Sequence, residues 1–225
     1  MNVIVFGATG GLGQRVWKAA IAAGHRVVAF VRSPEKLDRS HPSFADLNVV
    51  TGNVLDGDAV KTASQGCTIA VNCTSPAGGD ATLDLAKSAV THAADADVST
   101  FYMVGGIGAL WVPGTDKTVL VQDWDDEAAM QRQGWPTGMP KEKIQAMTQG
   151  HLASMAFMAS TKLAHAFICP GAMIDGEPSE SRTVTLDELG GPAALRVRYA
   201  DIAQVIVDDL EAGELLGHRV GVYAP

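Results

Sequence analysis

Short apolar runs punctuate the chain, and stretches with apolar residues at helical spacing separate them. Asn2-Val3-Ile4-Val5-Phe6 and the runs at 26–31 and 47–51 are β-branched and aromatic, as strands buried on both faces are. Further runs of this kind lie at 67–73, 98–104, 163–169 and 219–223. The helical pattern appears at 14–23, with Val16, Ala19, Ala20 and Ala23 on one side, and at 82–94, with Leu83, Ala86, Val90 and Ala93. It appears again at 58–65, at 140–159 and in the segment carrying Ile202, Val205, Ile206 and Leu210. Strand and helix alternate, which predicts an α/β fold with a Rossmann-type doubly wound parallel sheet. A short strand at 182–186 is expected in a small C-terminal, substrate-side lobe spanning roughly 171–198 of a single domain over 1–225. The stretch 109–138 is the least regular. It holds Pro113, Gly114, three tryptophans and the acidic group Asp123, Asp125, Asp126 and Glu127. Long loops inside compact domains are functional or mobile, so a lid or rim beside a pocket is expected here. The acidic group reads as a solvated helix start, and no metal site is expected.

Composition narrows the function classes. With 225 residues and 47% hydrophobic content, one sizeable core is affordable. The formal net charge of -8, without a basic cluster, argues against a nucleic-acid partner. Cys67, Cys73 and Cys169 are an odd number without metal-ligand spacing, each in an apolar stretch. That pattern suits buried thiols in a reducing, cytoplasmic setting. No apolar run approaches membrane-spanning length, and the N-terminus lacks the basic and apolar regions of a signal peptide. No membrane partner is expected.

The first apolar run leads into the candidate chemistry. Gly7-Ala8-Thr9-Gly10-Gly11-Leu12-Gly13 follows it at once, and a helix follows that. Strand, glycine turn and helix form the context of a dinucleotide-binding fingerprint. Gly7 permits the tight turn, Gly10 lets backbone amides approach a pyrophosphate, and Gly13 lets the helix pack close. Thr9, Gly11 and Leu12 complete the candidate contacts, and the helix N-terminus turns unpaired amides and a positive dipole end to the phosphates. The second strand ends in Arg32 and Ser33. An acid there would bind a ribose 2′-hydroxyl, whereas Arg32 suits a 2′-phosphate and Ser33 adds a donor. NADP(H) is therefore expected over NAD(H). Asn53 and Val54 are placed to flank adenine. Cys73, Thr74 and Ser75, after the fourth strand, are expected beside the glycine turn. Gly105, Gly106, Pro170 and Met173 lie after later strands, toward the reaction end. His165, in mid-strand, reads as a core histidine.

The motifs GATGGLG, FVRSPEK, GNVLD, VGGIG, CPGAM and RYADIAQVIVDDLE occur in this order. In them the chain resembles the atypical short-chain dehydrogenase/reductase family. It is most similar to the NAD(P)H-binding, NmrA-like group, which includes NADH-flavin reductases and the biliverdin reductase B type of flavin reductase. The resemblance implies a Rossmann domain with a small lobe over the nicotinamide, and an arginine, here Arg32, facing the 2′-phosphate. It also exposes a departure. Carbonyl-reducing members use a Tyr-x-x-x-Lys pair, but none of Tyr102, Tyr199 and Tyr223 has a lysine four residues on. Where the pair would lie stands Met139-Pro140-Lys141-Glu142-Lys143-Ile144. Ketone reduction wants a positioned acid, worth roughly 10²–10⁴-fold. A flavin or quinone spreads the added charge over its own rings and can be protonated by water, so positioning matters most. The expected function is NADPH-dependent hydride transfer to a small planar acceptor, with Lys143 and Ser75 as candidate catalytic residues. The alternative is an NADP(H)-binding redox sensor without turnover. An epimerase or dehydratase acting on a nucleotide sugar fits less well, since it too wants the tyrosine. A monomer or homodimer is expected.

Overall fold

The computed structural model describes residues 1–225 apart from 75–78, 124, 127, 129–140, 191–195 and 225, and the side chains of 79, 141, 143, 144 and 147. Its centre is an eight-stranded sheet. The strands are β1 (Asn2–Phe6), β2 (Arg26–Val31), β3 (Leu47–Thr51), β4 (Ile69–Asn72), β5 (Thr100–Val104), β6 (Ala164–Pro170), β8 (Thr183–Leu186) and β10 (Arg219–Tyr223). Their order is β3-β2-β1-β4-β5-β6-β10-β8. All neighbours run parallel except β8, which is antiparallel to β10. The remaining strands, β7 (Ala172–Ile174) and β9 (Arg196–Arg198), pair with each other outside this sheet. The described helices are α1 (Gly11–Ala22), α2 (Gly57–Ser64), α3 (Gly79–Ala94), α4 (Lys141–Ala159) and α5 (Tyr199–Ala212).

The two-residue period of the strands divides the core into two layers. Val3, Val5 and Tyr102 face one layer, together with Leu12, Val16 and Trp17 of α1 and Ile202 and Ile206 of α5. Ile4, Phe6, Phe101 and Met103 face the other, together with Val60 of α2, Val90 of α3 and Met158 of α4. There Phe6 meets Phe30 edge-on at 5.8 Å and stacks on Phe101 at 6.4 Å. Both faces of the central strands are thus covered, which explains their near-continuous apolar runs.

One buried carboxylate fixes the end of α5. Asp209, 4% exposed, accepts the Tyr102 hydroxyl proton at 2.8 Å and the amides of Glu214 and Leu215 at 2.7 and 3.1 Å. Gly213, with φ +65°, turns the chain so that those amides reach it. Burial, and then the Asp209 carboxylate, push the Tyr102 phenol well above its ordinary range.

Two expectations are corrected. The strand at 182–186 does not sit in an appended lobe. As β8 it closes the edge of the main sheet, with Val220 opposite Leu186. β10 would otherwise present an open row of backbone groups. Within the irregular stretch 109–138, expected as a lid or rim, described residues between 109 and 121 contribute to the core instead. Ala109, Leu110, Val112 and Val121 are buried in the second layer, and Trp111 bridges to Leu120 and Glu188. Residues 124, 127 and 129–138 of this stretch lie outside the described residues.

Asp209→Ala removes the acceptor for three donors, and is expected to cost about 3 kcal/mol in urea unfolding. Tyr102→Phe, which removes one donor, is expected to cost about 1 kcal/mol.

Candidate functional site

The order of strands reverses between β1 and β4, and ligands in such sheets bind outside the carboxyl ends at that point. Here the glycine turn lies. Gly7 has φ +75°, and a Cβ on it would meet the Cys73 carbonyl at 2.7 Å and the Thr74 nitrogen at 2.8 Å. A Cβ on Gly13 would fall 2.2 Å from the Gly7 oxygen and 2.8 Å from Ala8 Cα. Both glycines therefore serve backbone-to-backbone contact. Gly10 differs, since its Cβ would find only the Gly7 oxygen, at 3.4 Å. Gly11 carries the Tyr199 ring, which a Cβ would meet at 2.7 Å. Leu12, 5% exposed, anchors the first turn of α1 in the core.

α1 has Gly10 as its N-cap, with no side-chain cap and no acid in its first turn. Its leading amides and positive dipole end remain available to an anion. Gln14 ties this turn to the loop after β2. Its Nε2 donates to the Thr9 carbonyl at 3.3 Å, and its Oε1 accepts from the Asp38 amide at 3.1 Å. Lys18 holds Asp38 at 2.6 Å. Hydrogen bonds from Lys18 and then Ser40 keep that carboxyl well below the usual carboxylate range.

A cleft of about 480 Å³ opens beside the turn. Gly7, Thr9, Gly10, Arg32, Ser33, Asn53, Val54, Cys73 and Thr74 all line it, so half of the residues singled out in the sequence converge. Asn53 accepts the Leu55 amide at 3.1 Å, which shapes the loop after β3. The cleft also takes Lys36, Leu55, Asp84 and Leu85, which the sequence reading did not select. Lys36 stood within the quoted FVRSPEK motif; Asp84 and Leu85 had no such flag. Asn72 was also missed. It is 2% exposed and accepts both the Thr74 amide at 3.0 Å and the Thr74 hydroxyl at 2.8 Å, holding that residue against Gly7. The signal was an Asn two residues before a Thr at a strand end, which makes an Asx-turn.

Gly105, Pro170 and Met173 are not among the residues lining this cleft. The space that Gly105 leaves open is filled by the Phe167 ring, which a Cβ would meet at 2.2 Å. Pro170 ends β6 opposite Val222. Met173 is on β7, 37% exposed. Ser75 and the Lys143 side chain lie outside the described residues. His165 is half-buried, with Nδ1 2.9 Å from the Leu163 carbonyl.

The cleft offers no nucleophilic thiol. Burial pushes Cys73 up to about 12, Cys67 up to about 11 and Cys169 up to about 12, leaving the neutral thiols that react poorly. Among the described residues, no group of His, Cys, Asp and Glu could hold a metal ion. What the arrangement can do is bind. It combines an uncapped helix start, a turn stripped of side chains, two cations at the end of β2 and an apolar wall, and these fit a dinucleotide.

Comparison with known proteins agrees with that geometry. A family model described as NAD(P)H-binding matches residues 7–212. Among solved structures, a candidate epimerase from Bacteroides thetaiotaomicron is 21% identical, with 99% of this chain and 96% of that one covered and a TM-score of 0.79. A candidate NADH-flavin reductase from Streptococcus pneumoniae TIGR4 is 21% identical over 100% of both chains, with a TM-score of 0.77. ChuY, an anaerobillin reductase from Escherichia coli O157:H7, is 21% identical, with 100% of this chain and 98% of that one covered and a TM-score of 0.73. These likenesses show a shared fold. The family match opens at Gly7, on the turn itself, and runs through α5: the chain belongs to the NAD(P)H-binding family.

Proposed function

We propose that the protein is an NADPH-dependent oxidoreductase that reduces a small planar acceptor such as a flavin or a quinone. The observation that carries the reading is the cleft beside the glycine turn, with Arg32, Ser33 and Lys36 gathered at its β2 end. Gly11, Leu12 and Gly13 hold the amides that meet the pyrophosphate. Arg32 and Lys36 neutralise the 2′-phosphate, Ser33 donates to it, and Asn53, Val54 and Leu55 enclose adenine. The bound coenzyme supplies a hydride. Ser75, Gly105, Lys143 and Pro170 belong to the nicotinamide and acceptor end of this reading.

The choice of acceptor follows from the tyrosines. Tyr102 is buried on Asp209, Tyr199 lies on Gly11, and Tyr223 accepts the Gly190 amide at 3.2 Å. The Tyr102 and Tyr223 phenols are committed to these partners, and the Tyr199 ring packs on the turn that would hold the pyrophosphate. Without that acid, an acceptor that delocalises the added charge suits the site better than a ketone. The same lack disfavours epimerase chemistry. It also gives some weight to a second reading, an NADP(H)-binding sensor without turnover. The descriptions of two structural relatives, as an NADH-flavin reductase and an anaerobillin reductase, support the first. The free, high-pKa cysteines suit a reducing cytoplasm, and a monomer or homodimer is proposed.

Arg32→Asp is expected to weaken NADPH binding about 100-fold in a fluorescence titration while changing NADH binding less than about threefold. Equal losses would detach Arg32 from the phosphate. Gly10→Ala is expected to melt within about 3 °C of the parent protein yet bind coenzyme at least about tenfold more weakly. Gly13→Ala, forced against backbone, is expected to lose about 1–3 kcal/mol of stability as well. Steady-state NADPH oxidation against a panel of flavins and quinones separates the two functional readings: turnover supports the reductase, and tight binding without turnover supports the sensor.

A further inference from the structure

The buried side of α4 carries polar residues beside apolar ones such as Met158, where a wholly apolar face would be ordinary. Thr148, His151 and Ser154 follow one another at three-residue spacing, and they are 4%, 6% and 1% exposed. Two of them are accounted for by local packing. Thr148 fills the space beside Gly108, where a Cβ would lie 2.3 Å from its hydroxyl oxygen. Ser154 donates to the Gly150 carbonyl at 2.7 Å.

His151 is not accounted for in this way. Its Nδ1 is fully buried and has no hydrogen-bond partner among the described residues. The Nδ1–Cε1 edge of the ring faces Gly106, where a Cβ would lie 3.4 Å from Nδ1 and 3.5 Å from Cε1. The Phe167 ring closes another side, edge-on at 6.5 Å. Gly106 follows the carboxyl end of β5, the strand next to β4, whose end carries Cys73 and Thr74 into the cleft. A nitrogen with no partner among the described residues is therefore held at the carboxyl edge of the sheet, one strand from the coenzyme cleft, behind a residue with no side chain. Burying such a nitrogen is costly, and folds keep one where it acquires a partner in use.

We propose that His151 is a catalytic residue: its Nδ1–H donates a hydrogen bond to the carbonyl oxygen of a conjugated acceptor and stabilises the negative charge that arrives with the hydride. The proposal rests on the oxidoreductase reading above. The acceptor gains a hydride at one ring position, an electron pair moves through its conjugated system onto the oxygen, and His151 keeps its proton while holding that anion. Water then protonates the oxygen, so one hydride and one proton are added in all. Burial lowers the imidazole pKa, which keeps the ring neutral, as this role needs. A neutral imidazole shielded from water is a donor already oriented when charge develops, and the acceptor approaches it past Gly106, which has no side chain to block the way. The acceptor class that follows is a planar molecule with a conjugated carbonyl, as flavins and quinones have.

His151→Phe keeps a ring but removes the donor, and His151→Asn restores a donor near the Nδ1 position. The proposal expects His151→Phe to bind NADPH within threefold of the parent and to lose about 100-fold in kcat toward a naphthoquinone or FMN. It expects His151→Asn to recover most of that loss. It also expects the Nδ1 nitrogen resonance of His151, read by NMR in the parent protein without coenzyme, to move on addition of the naphthoquinone. A His151→Phe kcat within threefold of the parent would overturn it, as would a Nδ1 resonance unmoved at saturating naphthoquinone. If His151→Phe does not fold, the Asn variant and the resonance decide. If the parent protein turns over no acceptor, the reductase reading fails, and the resonance shows separately whether His151 meets a conjugated carbonyl.

Discussion

A single backbone contact, between Gly13 at the start of α1 and the carbonyl of Gly7 at the end of β1, sets the geometry of this molecule. A methyl group at residue 13 would fall 2.2 Å from that oxygen, so the contact exists only because none is there. It seats α1 directly against the strand. Leu12, Val16, Trp17 and Ala20 can then enter the core as one face. Because the helix begins right at the strand end, its leading amides face outward at the carboxyl edge, where the order of strands reverses. Packing and binding capacity therefore have one origin.

The C-terminal segment is fastened to the same place. Tyr199, at the start of α5, lays its ring on Gly11. Arg15 of α1 reaches Asp175 at 2.7 Å. Asp201 is fully buried and accepts the amide and hydroxyl of Ser179 at 2.7 and 2.8 Å, while Arg198 donates to the same hydroxyl. The loop after β7, the start of α5 and the glycine turn are thus joined by direct contacts. A ligand on the turn and a ligand under the C-terminal segment would share one framework.

Much of this was legible in the sequence because parallel strands covered on both faces leave unmistakable apolar runs, as at Asn2–Phe6 and Arg26–Val31. β8 was harder to place. Val184 and Leu186 remain 40% and 44% exposed on an edge, and nothing within Arg182–Leu186 says that β10 is its neighbour. Leu110, Val112 and Val121 are buried without any helical or strand period, since they fill gaps set by distant elements. The site divides in the same way. Residues inside motifs, such as Thr9, Arg32 and Asn53, met in one cleft. Gly105 was read as open backbone, but its reason is Phe167, more than sixty residues on, and no local pattern reports that. His151 sat in a helix whose burial could not be read from its weak amphipathic pattern.

The account turns on the claim that the bare turn from Gly7 to Gly13 grips a pyrophosphate. Isothermal titration calorimetry of the purified protein with NADPH and with ADP-ribose tests this most directly, since both carry the diphosphate and only one carries nicotinamide. The account predicts saturable one-to-one heats for both. No measurable heat with either, at concentrations where the fold is intact, would contradict it.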